Sequence, residues 1–323
     1  MKTIHDFPRL HLAVGPTPLH KLENLSRKYG KNIYIKRDDL IGVGLGGNKV
    51  RKLEFLLADA KARGADVVFT TGGAQSNHAM LTAACCRRLG MEAVLVLKKR
   101  GVTEEKGNLL LNRLLGAQVH FVDTDRYSVV YQEMHRLGEA LERQGRTPYY
   151  IPVGGSTALG ALGYIAGMEE AYGQGEAMGV HFDHTICVCG SGGTTAGVAL
   201  GTQYHSPGTR VLAIAVDDDP FEEIVPRLMG EALALLEDPS PVRSDAVEIQ
   251  YHVGAGYGVA GAEDTAAIRE MARLEGIFLD PVYTGKAFAH FLSLLRAGYF
   301  TGENLLFVHS GGAGGLFAVD LPE

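Results

Sequence analysis

Short apolar strands alternate with amphipathic helices along most of the chain, and glycine-containing turns join them. In the first half, the pattern predicts strands at 66–71, 92–97 and 118–122 and helices at 76–89 and 105–115. In the second half, it predicts strands at 185–189, 210–216 and 304–309 and helices beginning at Thr195 and Phe221. Parallel strands need helical crossovers, so this alternation is typical of sheets covered by helices. The sequence therefore predicts an α/β protein with two parallel sheets.

The length, net charge and apolar content of the chain limit the kinds of ligand that we expect it to bind. The 323 residues suffice for two domains, and a net charge of -6 with one short basic run, Lys98-Lys99-Arg100, disfavours nucleic acid and anionic membranes. No stretch approaches 18 apolar residues and no apolar leader opens the chain, so we expect a cytoplasmic protein. The cysteines, in Cys85-Cys86 and Cys187-x-Cys189, lack metal or redox spacing and are predicted to be reduced and buried. We therefore expect a small-molecule ligand and no metal.

Lys49 lies at the predicted start of a helix, directly after the run Leu45-Gly46-Gly47-Asn48. The positive end of a helix and the neighbouring cations Arg51 and Lys52 are expected to lower the pKa of this lysine. A neutral lysine amine condenses with a carbonyl group to form a Schiff base. Most lysines are simply exposed at the surface, but the turns described next favour Lys49 as the catalytic nucleophile.

A second glycine-rich turn, Gly190-Ser191-Gly192-Gly193-Thr194, joins a predicted strand to a predicted helix. Glycines let backbone N–H groups point at an anion, and hydroxyls and a helix N-terminus strengthen such a site. The spacing matches neither the dinucleotide fingerprint nor the Walker A loop. The turn predicts a phosphate site, and the alternative is a tight connection without a ligand.

The run Ser76-Asn77-His78 follows another predicted strand, at the sheet edge where ligands of open α/β sheets gather. Ser76 is expected to cap the next helix and to face the ligand, and a cap without further function is the alternative. Because no Gly-x-Ser-x-Gly motif surrounds Ser76, a hydrolase is disfavoured.

A Schiff-base lysine, a serine–asparagine pair and a phosphate turn are what a pyridoxal 5'-phosphate enzyme requires. Motifs along nearly the whole chain resemble those of the D-cysteine desulfhydrase and 1-aminocyclopropane-1-carboxylate deaminase family, which has the tryptophan-synthase-β-like fold (fold type II). The matching runs are residues 35–39, 46–55, 75–78, 151–156, 280–286 and 309–312. The resemblance implies a large cofactor domain of residues 1–53 plus 161–323, a small substrate-side domain of residues 54–160, and a homodimer.

Cofactor contacts are carried over only where residues match. The resemblance implies that Lys49 holds the cofactor covalently, that Asn77 binds the pyridine 3'-oxygen, and that residues 190–194 hold the phosphate. Tyr283 is expected to flank the cofactor, and Ser310 is expected to meet the pyridine nitrogen.

The resemblance also assigns catalytic and substrate contacts. Ser76 matches a serine that meets the substrate carboxylate or moves a proton, and Tyr257 and Tyr283 match two flanking tyrosines. For Tyr257 a loop aromatic that only packs is the alternative. The catalytic residues predicted in this way are Lys49, Ser76, Tyr257 and Tyr283. The predicted substrate contacts are Ser76, Asn77, His78, Tyr257 and Thr284.

Three departures from the deaminases bear on the substrate. Thr284 replaces the glutamate that pairs with the pyridine nitrogen. Ser310, where many relatives have threonine, offers a hydroxyl that would not hold that nitrogen protonated as a carboxylate does. Met80 stands where relatives often have arginine, and its effect on the leaving group stays open. A weaker electron sink favours rapid loss of a β-substituent over ring opening.

The function predicted from this resemblance is β-elimination of a sulfur-bearing amino acid such as D-cysteine to pyruvate, ammonia and a sulfur leaving group. The alternatives are an L-cysteate sulfo-lyase or L-cysteine desulfhydrase, and then a 1-aminocyclopropane-1-carboxylate deaminase. Outside the enzymes, a regulatory protein that binds a phosphate ligand is the alternative. The sequence leaves open the D or L configuration, the leaving group and the residue that removes the Cα proton.

Overall fold

The computed structural model describes residues 1–254, 256 and 258–321, and in these residues ten strands form two sheets. The strands are β1 (Leu19–Lys21), β2 (Asn32–Arg37), β3 (Val67–Gly73), β4 (Glu92–Lys98), β5 (Gln118–Val122), β6 (Pro148–Tyr150), β7 (His184–Cys189), β8 (Arg210–Ala215), β9 (Glu248–Tyr251) and β10 (Asn304–His309). The helices are α1 (Glu23–Tyr29), α2 (Lys49–Ala62), α3 (Asn77–Arg88), α4 (Gly107–Leu114), α5 (Tyr127–Glu142), α6 (Ala158–Ala177), α7 (Gly193–His205), α8 (Phe221–Leu235), α9 (Ala262–Glu275) and α10 (Thr284–Arg296). Short 3-10 helices cover Ile4–Asp6, Asp38–Leu40, Val153–Gly155 and Ala313–Ala318.

Both sheets are dominated by parallel strands, which confirms the predicted α/β class. The larger sheet has the order β1-β2-β10-β7-β8-β9, and only its edge pair of β1 with β2 is antiparallel. The smaller sheet has the order β5-β4-β3-β6 and is parallel throughout. Helices connect the successive parallel strands, as crossovers between parallel strands require.

The central strands of each sheet are buried on both faces, and alternate residues along a strand point into the two opposite cores. In β7, Cys187 and Cys189 join the apolar core under α6, α7 and α8, whereas Ile186 and Val188 join the core under α9 and α10. The smaller sheet is covered in the same manner by α2 and α3 on one face and by α5 on the other. All four cysteines are buried and free, as predicted.

The predicted elements differ from the observed ones mainly at their ends. The strands predicted at 118–122 and 304–309 have the observed bounds, and the helix at the first glycine run begins at Lys49. The alternation of strands and helices did not predict β1, β2, β6 or β9. Of these, β1, β6 and β9 lie at the edges of the sheets, and β2 follows β1 in an antiparallel pair, without a crossover helix between parallel strands. The predicted domain boundaries fall inside α2 and α6 and stay a prediction.

Three turns important for the site emerge from the carboxyl ends of parallel strands. The turn that contains Ser76 follows β3, the turn that begins at Gly190 follows β7, and Ser310 follows β10. The start of α2 is held at the same place, because Gly47 and Gly311 form an isolated antiparallel bridge. Across the described residues, no helix is both long and apolar enough to span a membrane.

Candidate active site

A cavity of about 360 Å³ lies where these turns meet. This volume suits a small organic ligand. The predicted site residues that line it are Lys49, Ser76, Asn77, His78, Gly190, Ser191, Gly192, Thr194, Tyr283 and Ser310. Gly193 and Thr284 are not among its lining residues, and Tyr257 lies outside the described residues.

Lys49, the first residue of α2, is half-buried and lines this cavity. Burial lowers the pKa of Lys49 to about 8. The expected shift is therefore present, but its cause is removal of the ammonium from water rather than crowding by Arg51 and Lys52. A lysine in this state supplies far more neutral amine near neutral pH than an ordinary lysine does, and a Schiff-base nucleophile reacts as the neutral amine.

The positive charge of Arg51 is balanced by two carboxylates on the side of α2 that faces away from the cavity. Its Nε donates to Asp38 Oδ2 at 2.8 Å, and its Nη2 donates to Asp38 Oδ1 and Glu170 Oε1 at 2.8 Å each. Both Arg51 and Asp38 are about 1% exposed. This buried, bidentate pair fixes the first turn of α2 and therefore the position from which Lys49 extends.

The turn after β7 has the geometry of an anion site. Gly192 has a φ of +79°, a conformation that favours glycine, and α7 begins at Gly193, so the N-terminus of this helix lies just beyond the carboxyl end of β7. A Cβ on Gly193 would lie 2.7 Å from Lys52 Nζ and 2.8 Å from Ser156 Oγ. The turn is tied to the lysine helix, since Asn48 Nδ2 donates to Thr194 Oγ1 at 3.0 Å.

Lys52 and Ser156 extend this anion site, and no sequence motif predicted either role. Lys52 is completely buried, its Nζ donates to the Gly154 carbonyl at 2.6 Å, and burial holds its pKa well below the usual value. Ser156 Oγ donates to Ser191 Oγ at 3.0 Å and accepts from the Gly193 N–H at 3.3 Å. The spacing of Lys49 and Lys52 was the available clue, because residues three apart share one face of a helix.

Ser76 and Asn77 are held at the start of α3. Ser76 is its N-cap, as predicted, and its Oγ accepts from the Ala79 N–H at 3.2 Å. Asn77 Oδ1 accepts from Asn108 Nδ2 at 2.7 Å. Because its oxygen is occupied in this way, the amide nitrogen of Asn77 is the atom left to donate to an acceptor such as a pyridine 3'-oxygen.

His78 is buried and neutral. Thr70 Oγ1 donates its single proton to the Ile151 carbonyl at 2.9 Å, so it must accept from His78 Nε2 at 2.8 Å. Burial also lowers the pKa of His78 well below its usual value. His78 therefore reaches the cavity wall as a neutral imidazole rather than as a cation.

Tyr283 and Ser310 line the cavity, but Thr284 does not. The Thr284 hydroxyl donates to Asp280 Oδ1 at 2.7 Å and accepts from the Asp280 N–H at 2.9 Å, and the residue is fully buried. The structure thus does not place Thr284 as the predicted substrate contact. Its hydroxyl is used in the first turn of α10, where it holds the carboxylate that fixes the Tyr283 backbone.

These residues fit pyridoxal 5'-phosphate on structural grounds. The glycine turn and the α7 N-terminus can hold its phosphate, and the buried Lys52 amine lies beside them as a further hydrogen-bond donor. Lys49 can bond to its aldehyde carbon, Asn77 can donate to its 3'-oxygen, and Ser310 offers a hydroxyl for its ring nitrogen.

Comparison with known proteins agrees with this reading. The model of the family described as "Pyridoxal-phosphate dependent enzyme" matches residues 10–311. A protein of Pyrococcus horikoshii named putative 1-aminocyclopropane-1-carboxylate deaminase is 42% identical over 315 residues, which cover 96% of this chain and 94% of that protein. A D-cysteine desulfhydrase of Serratia proteamaculans is 41% identical over 324 residues, with 97% and 96% covered.

Solved structures give the same result. The crystal structure of an ACC deaminase homologue superposes with a TM-score of 0.91 at 41% identity and covers 97% of this chain and 94% of its own. Threonine deaminase isoform 2 from Solanum lycopersicum, at 19% identity and a TM-score of 0.62 with 96% and 81% covered, shares the fold. The chain therefore belongs to the pyridoxal-phosphate dependent enzymes, in the family that contains 1-aminocyclopropane-1-carboxylate deaminase and D-cysteine desulfhydrase homologues.

Proposed function

We propose that this enzyme is a carbon–sulfur lyase that acts on D-cysteine or a closely similar β-substituted amino acid. The overall reaction converts D-cysteine and water to pyruvate, ammonia and hydrogen sulfide. The Cα–H and Cβ–S bonds break, the sulfur leaves with the Cβ–S electron pair, and water then replaces the amino group. No external oxidant or reductant is needed.

The observation that carries the proposal is a hydroxyl, not a carboxylate, at the end of the cavity beside β10. Ser310 lines this end, and the residue that replaces the deaminase glutamate, Thr284, uses its hydroxyl within α10. The carboxylates among the lining residues are Asp217 and Asp219, which follow β8. A hydroxyl does not hold a ring nitrogen protonated, which favours prompt loss of a β-substituent over ring opening.

The cofactor, when bound through Lys49, supplies the electron sink that acidifies the substrate Cα–H bond. The N-terminus of α3 and the Ser76 hydroxyl can orient the substrate carboxylate, because helix N-termini bind anions. Lys49 is the proposed acceptor of the Cα proton, since its lowered pKa gives a neutral amine once the substrate has displaced it. Tyr283 and Ser76 carry hydroxyls that could take the same proton, and Tyr257 is proposed for the substrate side.

Substrate profiling tests the proposal. Purified protein is mixed with D-cysteine, L-cysteine, L-cysteate and 1-aminocyclopropane-1-carboxylate, and pyruvate and 2-oxobutanoate are measured separately. We expect pyruvate and sulfide from D-cysteine at the highest kcat/KM. 2-Oxobutanoate from the cyclopropane acid, with no pyruvate from the others, would instead assign the enzyme to ring opening.

A matched pair of variants links the activity to this cavity. Lys49→Ala should lose both the visible absorbance of the lysine-linked cofactor and turnover. Lys61→Ala, in the last turn of the same helix, should keep both, because Lys61 is exposed and outside the cavity. Unchanged turnover in Lys49→Ala would contradict the assignment of the nucleophile.

A further inference from the structure

We infer that His309 is a positioning residue, which acts through Ser310 on the nitrogen end of the cofactor. The inference rests on the proposed function in that Ser310 must meet the pyridine nitrogen. His309 is the last residue of β10 and is 1% exposed, and it does not line the cavity itself. It immediately precedes Ser310, which does.

The two ring nitrogens of His309 have fixed and different partners. Nε2 lies 3.0 Å from the Phe278 carbonyl, which can only accept, so Nε2 carries the proton. Nδ1 then has a lone pair, and it accepts from the Gly311 N–H at 3.2 Å. Only the neutral Nε2–H tautomer satisfies both partners, and burial lowers the pKa of His309 in the direction that favours the neutral form.

The bond to Gly311 closes a small ring around Ser310. His309 is joined to Ser310 by a peptide bond, and its imidazole accepts a hydrogen bond from the N–H of Gly311, the residue after Ser310. The backbone of Ser310 is therefore fixed at both of its ends, which restricts the direction of its side chain.

This ring also contacts the lysine helix. The Ser310 carbonyl accepts from the Asn48 N–H at 3.0 Å, and a Cβ on Gly311 would lie 2.6 Å from the Cα of Gly47. Thus the residue before Lys49 is bonded to the turn that His309 holds.

On its other side, the imidazole anchors the turn to the segment that leads into Tyr283. Phe278 precedes Asp280 by two residues, and Asp280 Oδ2 accepts from the Tyr283 N–H at 2.9 Å. A Cβ on Gly312 would lie 2.5 Å from the Asp280 carboxyl carbon, so the two segments pack directly. His309 therefore joins the wall that bears Ser310 to the wall that bears Tyr283.

Two substitutions separate the two bonds of the imidazole. His309→Asn places an amide oxygen at the depth of Nδ1, where it can accept from Gly311, and loses the reach to Phe278. His309→Gln places an amide nitrogen at the depth of Nε2 and loses the acceptor for Gly311. The control is His290→Gln, because His290 on α10 bonds to Gln250 and does not line the cavity.

The readouts are the dissociation constant of pyridoxal 5'-phosphate from the apoprotein, the visible absorbance maximum and the melting temperature of the apoprotein. We expect His309→Gln to weaken cofactor binding about tenfold and to shift the absorbance maximum, as loss of one oriented hydrogen bond would. His309→Asn should bind the cofactor with a dissociation constant within about threefold of the wild type even if it melts earlier, because it keeps an acceptor for the Gly311 N–H. A threefold change corresponds to less than one hydrogen bond.

A double-mutant cycle with Ser310→Ala decides whether His309 acts through Ser310. We expect His309→Gln to add nothing to the loss caused by Ser310→Ala, because coupled residues are not additive. Full additivity, or wild-type affinity and spectrum in His309→Gln, would overturn the inference. Should His309→Gln fail to fold, weak binding by folded His309→Asn would overturn it in the same way. If the wild type itself bound no pyridoxal phosphate at Lys49, the proposed function would fail instead.

Discussion

Three basic residues in the first turn of α2 have different surroundings because successive helical residues are rotated by about 100°. Lys49 faces the cavity, and Lys52, three residues later, lies behind the glycine turn on the same face. Arg51 points elsewhere and is neutralised by Asp38 and Glu170. The helix therefore presents lysine amines to the ligand and keeps the permanent guanidinium charge away from it.

The lowered pKa of Lys49 predicts how the apoprotein takes up its cofactor. Its pKa of about 8 lies below the usual 10.5, so the neutral amine becomes the major form above about pH 8. Because only the neutral amine attacks an aldehyde, the rate constant for recombination with pyridoxal 5'-phosphate should rise about tenfold per pH unit below pH 8 and then level off. Stopped-flow absorbance would measure this rate.

Nα-acetyl-lysine is the reference for that experiment, since its exposed amine should give a rate that keeps rising toward pH 10. The same late rise in the protein would show that Lys49 is not desolvated in the apoprotein.

At the scale of elements, the start of α7 forms part of the proposed anion site. The first residue of this helix is a glycine because other side chains approach it closely. Gly193 is the first helical residue and donates to Ser156 Oγ at 3.3 Å, and a Cβ on it would lie 2.7 Å from Lys52 Nζ. There is no room for a side chain at this position. Glycines elsewhere in the helices need not be required by such a close approach.

Gly193→Ala tests this difference. Its Cβ would displace Lys52 or Ser156, so we expect the dissociation constant of pyridoxal 5'-phosphate to rise at least about tenfold, the equivalent of one lost charge-assisted hydrogen bond. Gly173→Ala is the matched control, because Gly173 lies in the exposed interior of α6 with nothing within 4 Å of the added carbon.

That control should keep wild-type affinity and gain about 0.5–1 kcal/mol in the free energy of unfolding, as alanine in a helix usually does. Equal cofactor affinities for the two variants would show that the approach at Gly193 does not matter for the ligand.

At the scale of the molecule, an ion pair joins the two sheets beside the cavity. Arg100 follows β4 of the smaller sheet, and its Nη2 lies 3.0 Å from Oδ1 of Asp217, which follows β8 of the larger sheet. The Arg100 carbonyl also accepts from the Ala74 N–H at 3.0 Å, in the turn that leads to Ser76. The pair therefore connects the substrate-side turn to the opposite cavity wall.

Arg100→Ala should loosen this connection with little effect on folding. A partly exposed ion pair contributes up to about 1 kcal/mol, so we expect the KM of the best substrate to rise about two- to fivefold and the free energy of unfolding to fall by less than about 1 kcal/mol. Steady-state kinetics and urea denaturation measure the two quantities.

Arg113→Ala serves as the control. Arg113 lies on α4, between two strands of the smaller sheet, and pairs with nearby Glu105 on an exposed surface. If both variants had the same KM as the wild type, the ion pair would have no part in substrate binding.

Features that depend on neighbours in sequence could be predicted without the structure. The α/β class, the start of α2 at Lys49, the Ser76 cap and the burial of the cysteines all follow from local periodicity, capping chemistry and spacing. The resemblance of the motifs identified the family in the same way, because its matching runs are short and local.

What the tertiary structure decided are the partnerships between distant segments. The contacts of Lys52 with Gly154, of Arg51 with Glu170 and of His309 with Phe278 join residues 102, 119 and 31 positions apart. No local pattern encodes them, so the cause of the Lys49 pKa shift and the inward use of the Thr284 hydroxyl could not be read from the sequence. Burial and hydrogen bonding depend on which atoms surround a group in space, and only the packed sheets determine that.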